Sequence, residues 1–257
     1  MNGAFDIGAV ALRAQQRALD TIANNVANVN TPTYKRVDSD FSEVMARQMQ
    51  PASQTALLAA RDFLATGGVR FTPREMIFNQ GDIRMTGNRL DLAIEGAGFI
   101  ELMGPDGQPL LWRGGTLKVL DDGLLASENG YALRANISIP DDATNLEIAA
   151  DGTVKADLPE SQGAELGQIS LVQVSSGSDL ERLDRGIYRP TESARLTDAR
   201  PGEDGVGLLA QGRIEGSNVE LSDEMVQLLT VQRAFAASAQ IVQAADQLAG
   251  IANSLKR

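Results

Sequence analysis

Residues 223–255 read DEMVQLLTVQRAFAASAQIVQAADQLAGIANSL, a stretch that no proline interrupts. Leu228, Val231, Phe235, Ser238, Val242, Ala245, Ala249 and Ala252 step by threes and fours, the spacing that gathers side chains on one side of a helix. A second stripe runs beside it through Ala234, Ala237, Ile241, Ala244, Leu248, Ile251 and Leu255, while Gln232, Gln240, Gln243, Asp246 and Gln247 occupy much of the remainder. The pattern predicts a helix from about Asp223 to Leu255, ~50 Å long at 1.5 Å per residue. Ser217-x-x-Glu220 and Ser222 are its candidate caps. An apolar face this broad exceeds what one partner helix covers. It predicts that the ends of the chain are frayed in a lone copy and become ordered when several copies pack together.

The other end carries a matching signal. Leu12, Gln15, Leu19, Ile22, Val26 and Val29 are spaced 3-4-3-4-3, with the small residues Ala11, Ala14 and Ala18 alongside. This helix is expected to stop at Thr31-Pro32, because Pro32 has no N–H and pushes Thr31 out of the α region. Asn24, Asn25, Asn28 and Asn30 crowd its last turn, where an amide tolerates left-handed geometry and can bond free carbonyls.

Between the helices the period changes. Asp106-Gly107, Asp122-Gly123, Asn129-Gly130 and Asp151-Gly152 are strong hairpin signals. Around them 117–120, 124–127, 146–149, 153–156 and 169–174 read as strands, and 175–212 reads as loop-rich. The expected fold class is α+β, with N- and C-terminal helices forming a coiled-coil-like inner domain and a β-rich middle domain inserted between them. The expected divisions are a helix over 1–31, an extended connector over 32–80, β structure over 81–215 and a helix over 216–257.

Composition narrows the chemistry. The 257 residues include no His and no Cys, which removes disulfides, His- or Cys-based zinc sites, Ser-His-Asp triads and thiol nucleophiles. Lys and Arg total 23 against 34 Asp and Glu, a net charge of −11, so phosphate backbones would be repelled and no nucleic-acid partner is expected. No apolar run approaches the ~18 residues of a membrane span, and the N-terminus lacks the basic and apolar blocks of a cleavable signal. Gly96-Ala97-Gly98 lacks the third glycine of a nucleotide loop, since position 101 is Glu101. Asp121-Asp122 and Asp141-Asp142 lie in turn contexts and read as solvated loops rather than as a glycosidase pair. Neither enzyme activity nor a cofactor or metal is expected.

Several segments, in order along nearly the whole chain, resemble the bacterial flagellar rod and hook proteins, the axial family of the basal body. They are ANNVANVNTP (residues 23–32) followed by Tyr34-Lys35-Arg36, DLAIEGAGFI (91–100), RGGTL (113–117), DGLL (122–125), NGYAL (129–133), IAADGTV (148–154), GQI (167–169), GRIEGSNV (212–219), and the terminal QRAF (232–235) and AAD (244–246). The residues that carry this signature are Asn24, Asn25, Asn28, Asn30, Thr31, Gly96, Gly98, Phe99, Ser217 and Asn218. The resemblance implies a chain exported through a flagellar type III apparatus without a cleaved signal. It implies helical polymerisation with copies of itself and other axial proteins in a basal body that spans the periplasm, the terminal helices forming an inner tube and the β domain facing outward. A single middle domain of modest size favours a rod subunit of the distal or proximal type over a hook subunit. Leu12, Leu19, Ile22 and Val26 with Leu228, Phe235, Val242 and Leu248 are the candidate packing residues, and Gln240, Gln243 and Gln247 the candidate channel lining. The alternative from another class is a secreted, soluble binding module with an intramolecular helix pair.

Overall fold

A computed structural model describes residues 2–44, 68–159, 161–184, 186–203 and 205–254. The chain divides into two compact units. One comprises Met1–Ala27, Val37–Arg74 and Glu220–Arg257; the other comprises Asn28–Arg36 and Glu75–Val219.

The first unit contains the two α-helices found among the described residues, α1 (Asn2–Ala27) and α2 (Leu221–Ser254). They run antiparallel. A Cβ added to Gly8 would lie 2.5 Å from Val242 Cγ2, Gln15 Nε2 donates to Ser238 Oγ at 3.0 Å, and Asn25 Nδ2 donates to Glu224 Oε2 at 3.2 Å. Ala14, Ala18 and Ile22 are buried. Strand Val37–Val44 pairs with Gly68–Glu75. Helix α1 stops at Ala27, earlier than Pro32 alone requires, because the chain turns at once: Thr31 N–H donates to the Asn28 carbonyl at 3.1 Å and Thr31 Oγ1 to Asn28 Oδ1 at 3.1 Å. Helix α2 begins at Leu221, with the Glu220 carbonyl accepting from Asp223 and Glu224; Ser217 Oγ bonds Val219 N–H instead of capping it.

The second unit is built of antiparallel sheets. A six-stranded sheet runs in the order Leu180–Asp184, Ile187–Pro190, Pro109–Trp112, Phe99–Met103, Leu171–Val174, Leu196–Ala199. A four-stranded sheet follows the order Leu208–Gln211, Asp91–Glu95, Gly114–Val119, Leu125–Ser127. Ser161–Gln168, Thr153–Leu158 and Thr144–Ile148 form a three-stranded sheet, and Arg213–Glu215 pairs with Ile83–Met85. The six-stranded sheet is apolar on both faces. Ile100, Leu102, Leu110, Trp112, Leu171 and Ile187 enter one core, and their neighbours Phe99, Leu111, Val172 and Tyr188 enter another, as the period of two requires.

The expected fold class is therefore corrected. Strand makes up 38% of the structure and helix 27%, in several sheets, so this is not a coiled-coil-like helical domain with a β domain inserted into it. Two physical reasons stand out. The seam between α1 and α2 interrupts its large apolar residues, Ile22 and Val242 among them, with glycine, alanine and hydrogen-bonded polar side chains, where a coiled coil needs an unbroken series of large apolar knobs. Most of the large aliphatic side chains that form continuous cores belong to the strands. The segment 175–212, read as loop-rich, contributes four strands, three of them in the six-stranded sheet. The predicted turns are present, with Gly107, Gly123, Gly130 and Gly152 at φ from 75° to 88°. Much of the expected connector, residues 45–67, lies outside the described residues, as does Leu255.

Candidate functional site

Lys35, Arg113 and Glu215 form a buried charged cluster in the second unit, with side-chain exposures of 0%, 3% and 0%. Lys35 Nζ donates to Glu215 Oε1 at 2.6 Å and to the Asn79 carbonyl at 2.7 Å. Arg113 Nε donates to Glu215 Oε2 at 3.0 Å, and its terminal nitrogens donate to the carbonyls of Gly98 and Gly96 at 2.6 and 2.5 Å. Gly81 N–H completes the shell of Glu215 with a bond of 2.8 Å to Oε1. Such a cluster persists without water only because the carboxylate serves two cations and backbone groups take much of the remaining capacity. Burial lowers the Lys35 amine below its usual range; the charge of Glu215 opposes this and that of Arg113 adds to it.

Gly96-Ala97-Gly98 explains part of this geometry. The turn joins strands Asp91–Glu95 and Phe99–Met103 and aims two carbonyl oxygens at one guanidinium. A phosphate loop presents N–H groups; this one presents acceptors, and so it holds a cation. Gly96 sits at φ 121°, and a Cβ there would lie 2.7 Å from Gly207 Cα. Phe99 packs beneath, 5.8 Å from the Arg113 guanidinium carbon and edge-on to Tyr188 at 5.7 Å.

The same cluster grips residues 33–36. Thr33 N–H donates to the Glu215 carbonyl at 2.9 Å. Arg36 N–H donates to Asn218 Oδ1 at 2.6 Å, Asn218 N–H to the Tyr34 carbonyl at 3.3 Å, and Asn218 Nδ2 to the carbonyls of Met76 and Asn79 at 3.0 Å each. The Tyr34 ring lies 4.3 Å under the Arg182 guanidinium. Nearby, Glu75 Oε2 and the Tyr188 hydroxyl are buried with no hydrogen-bond partner among the described residues. Burial raises the Glu75 carboxyl above its usual range, Arg182 partly offsetting this, and burial likewise raises the Tyr188 phenol, with the charge of Glu75 adding to it.

The predicted packing residues divide. Ile22 is buried; Leu12, Leu19, Val26, Leu228 and Val242 are half-buried; Phe235 and Leu248 are 39% and 66% exposed. The stripe of α2 through Leu228, Val231, Ser238, Val242 and Ala245 is half-buried, and Ser238 bonds α1. The stripe through Ile241, Leu248 and Ile251 is exposed, at 64%, 66% and 56%, and Val226 and Leu229 extend it at 64% and 55%. Gln240, Gln243 and Gln247 are also exposed. Of the signature residues, Asn25 and Phe99 are buried, Asn28, Thr31, Ser217 and Asn218 are half-buried, and Asn24 and Asn30 are exposed. Asp121, Asp122, Asp141 and Asp142 are all at the surface. Among the described residues no group of three or more acidic side chains is arranged to hold a metal, and no helix is long and apolar enough to cross a membrane.

Three segments match family models. Residues 5–35 match "Flagella basal body rod protein", 93–156 match "Flagellar hook protein FlgE/F/G D1 domain" and 210–255 match "Flagellar basal body rod FlgEFG protein C-terminal". The chain is 33% identical over 249 residues to the flagellar basal-body rod protein FlgG of Buchnera aphidicola subsp. Schizaphis graminum, covering 94% of this chain and 95% of the relative. It is 32% identical to FlgG of Borreliella burgdorferi, covering 97% of each, and 31% identical to FlgG of Caulobacter vibrioides, covering 98% and 99%. These are structural proteins of the flagellum. The chain belongs to the flagellar basal-body rod protein family.

Proposed function

We propose that this rod subunit polymerises helically with copies of itself and with other flagellar axial proteins, forming a segment of the drive shaft and of its central export channel. The observation that carries the reading is the exposed apolar stripe of α2. Val226, Leu229, Ile241, Leu248 and Ile251 are each more than half exposed, while α1 packs on the neighbouring stripe at Ser238 and Val242. A continuous apolar surface of this kind marks an interaction site. A contact between unlike faces that does not close on itself generates a filament. Gln240, Gln243 and Gln247 supply a polar border suited to a channel wall, and the sheets are suited to face outward. On this reading the chain travels through the type III apparatus to a basal body that spans the periplasm, with no catalytic role.

The test is complementation of a strain lacking this gene. Wild-type chain restores swimming and appears in isolated basal bodies. Ile241→Asp and Leu248→Asp chains are exported but fail to enter the basal body. Normal swimming by both variants would overturn the packing role, and failure of the wild-type chain in its own host would overturn the rod role itself.

A further inference from the structure

Asn25 is 1% exposed and sits two residues before the end of α1. Its carboxamide works in two directions. Toward the connector, Oδ1 accepts the Val37 N–H at 3.0 Å while Nδ2 donates to the Val37 carbonyl at 2.8 Å. This is the two-bond exchange that a residue on a neighbouring strand makes with its partner. Toward the second helix, Nδ2 donates to Glu224 Oε2 at 3.2 Å, and Glu224 is 0% exposed. Glu224 Oε2 accepts this bond, so it holds the NH2 end of the amide toward itself and leaves Oδ1 for Val37. Glu224 lies in the first turn of α2, where the helix dipole favours negative charge.

We infer that Asn25 is the positioning residue that sets where strand Val37–Val44 leaves the helix pair, and that Glu224 fixes the orientation of its amide. The asparagine side chain supplies the strand's first partner from a helix, so the start of the ribbon is tied to α1 and α2 together. No other residue type has the reach and the three groups needed. Aspartate keeps the acceptor for Val37 N–H but loses both donors, and glutamine is one carbon too long. The consequence for assembly rests on the rod reading above; the geometry does not.

The experiment uses the full chain and two readouts. Amide exchange of Val37 in the purified protein reports the clamp, and swimming of a complemented strain reports the consequence. Asn25→Asp should speed Val37 exchange roughly tenfold or more, as expected for a buried hydrogen-bond pair left half made, and abolish swimming. Glu224→Gln in the Asn25→Asp background restores a donor opposite residue 25 and removes the facing of two carboxylates, so protection and swimming return in part, the Val37 carbonyl still lacking its donor. Asn25→Ala, which has nothing to receive that donor, stays defective with or without Glu224→Gln. A Val37 amide that remains protected in Asn25→Ala overturns the inference. So does an exposed Val37 amide in a chain that still supports swimming, or a double variant that fails to recover. If Asn25→Asp does not fold, recovery of the fold by Glu224→Gln supports the inference and its absence overturns it. Failure of the wild-type chain to complement is a different result, one that removes the rod reading and leaves the exchange pattern standing.

Discussion

Lys35 and Glu215 are 180 positions apart in the chain, yet Nζ and Oε1 meet at 2.6 Å with neither side chain exposed to solvent. Removing the carboxylate alone leaves two cations, Lys35 and Arg113, buried together. Glu215→Gln should therefore cost about 3–5 kcal/mol, the range for breaking one side of a buried ion pair. Lys35→Met in the same chain should recover part of that loss, because it takes away one of the stranded charges. Urea unfolding of the two variants and the wild type measures the difference; equal stability of Glu215→Gln and wild type would mean the cluster is not closed to water.

Glu75 carries a pH signature of known sign. Its folded-state proton affinity is raised, by burial first, with Arg182 offsetting only part. A carboxyl raised on folding contributes stability that is fully present below its unfolded value, 4.5, and lost as pH rises through the folded value. Glu75→Gln should thus stabilise the protein at pH 7 by ~1 kcal/mol, the scale of an unsatisfied buried polar group, and the advantage should fade below pH 4.5. Unfolding midpoints at pH 4 and pH 7 check both halves of the statement.

Within the helix pair, burial separates folding from assembly. Ile22 is 1% exposed, so Ile22→Ala should cost about 2–5 kcal/mol of stability. Ile241 and Leu248 are 64% and 66% exposed, and aspartate there should change monomer stability by no more than ~0.5 kcal/mol. Thermal unfolding of the three variants, read beside swimming, distinguishes a surface kept for neighbours from one kept for the fold.

Gly96 tests the carbonyl cradle. Its φ of 121° and the 2.7 Å from its missing Cβ to Gly207 Cα leave no room for alanine. Gly96→Ala should destabilise by more than ~1 kcal/mol, since both the strained backbone and the displaced Arg113 contribute. Gly130→Ala, where φ is 85° but nothing lies within 4 Å of the new atom, should show the backbone cost alone. Chemical denaturation of the pair separates the two effects.

The sequence was legible where the physics is local. Asp122-Gly123, Asn129-Gly130 and Asp151-Gly152 announce turns because few other pairs tolerate that backbone, and α2 is visible from its stripes within a few residues of its ends. The six-stranded sheet was hidden for the opposite reason. With both faces buried, Leu110-Leu111-Trp112 shows no alternation, and Leu180–Asp184 reads as a charged loop because Arg182 stacks on a distant tyrosine. Lys35, Arg113 and Glu215 each stood inside a recognisable segment, but no spacing rule joins positions separated by 102 and 180 residues. Asn25 was grouped with Asn24, Asn28 and Asn30 as a helix-end amide; only the partner across the fold sets it apart.

The grip of Glu215 and Asn218 on Thr33 and Arg36 has a mechanical meaning. A pull arriving from the upstream chain at Thr33 and one arriving from the downstream chain at Asn218 converge on the same few bonds. Tension therefore short-circuits across them and bypasses the six- and four-stranded sheets, which hang from the load path as a side branch. Single-molecule stretching between residues 28 and 219 should rupture this junction as a first, separate event, before any strand of the side branch yields.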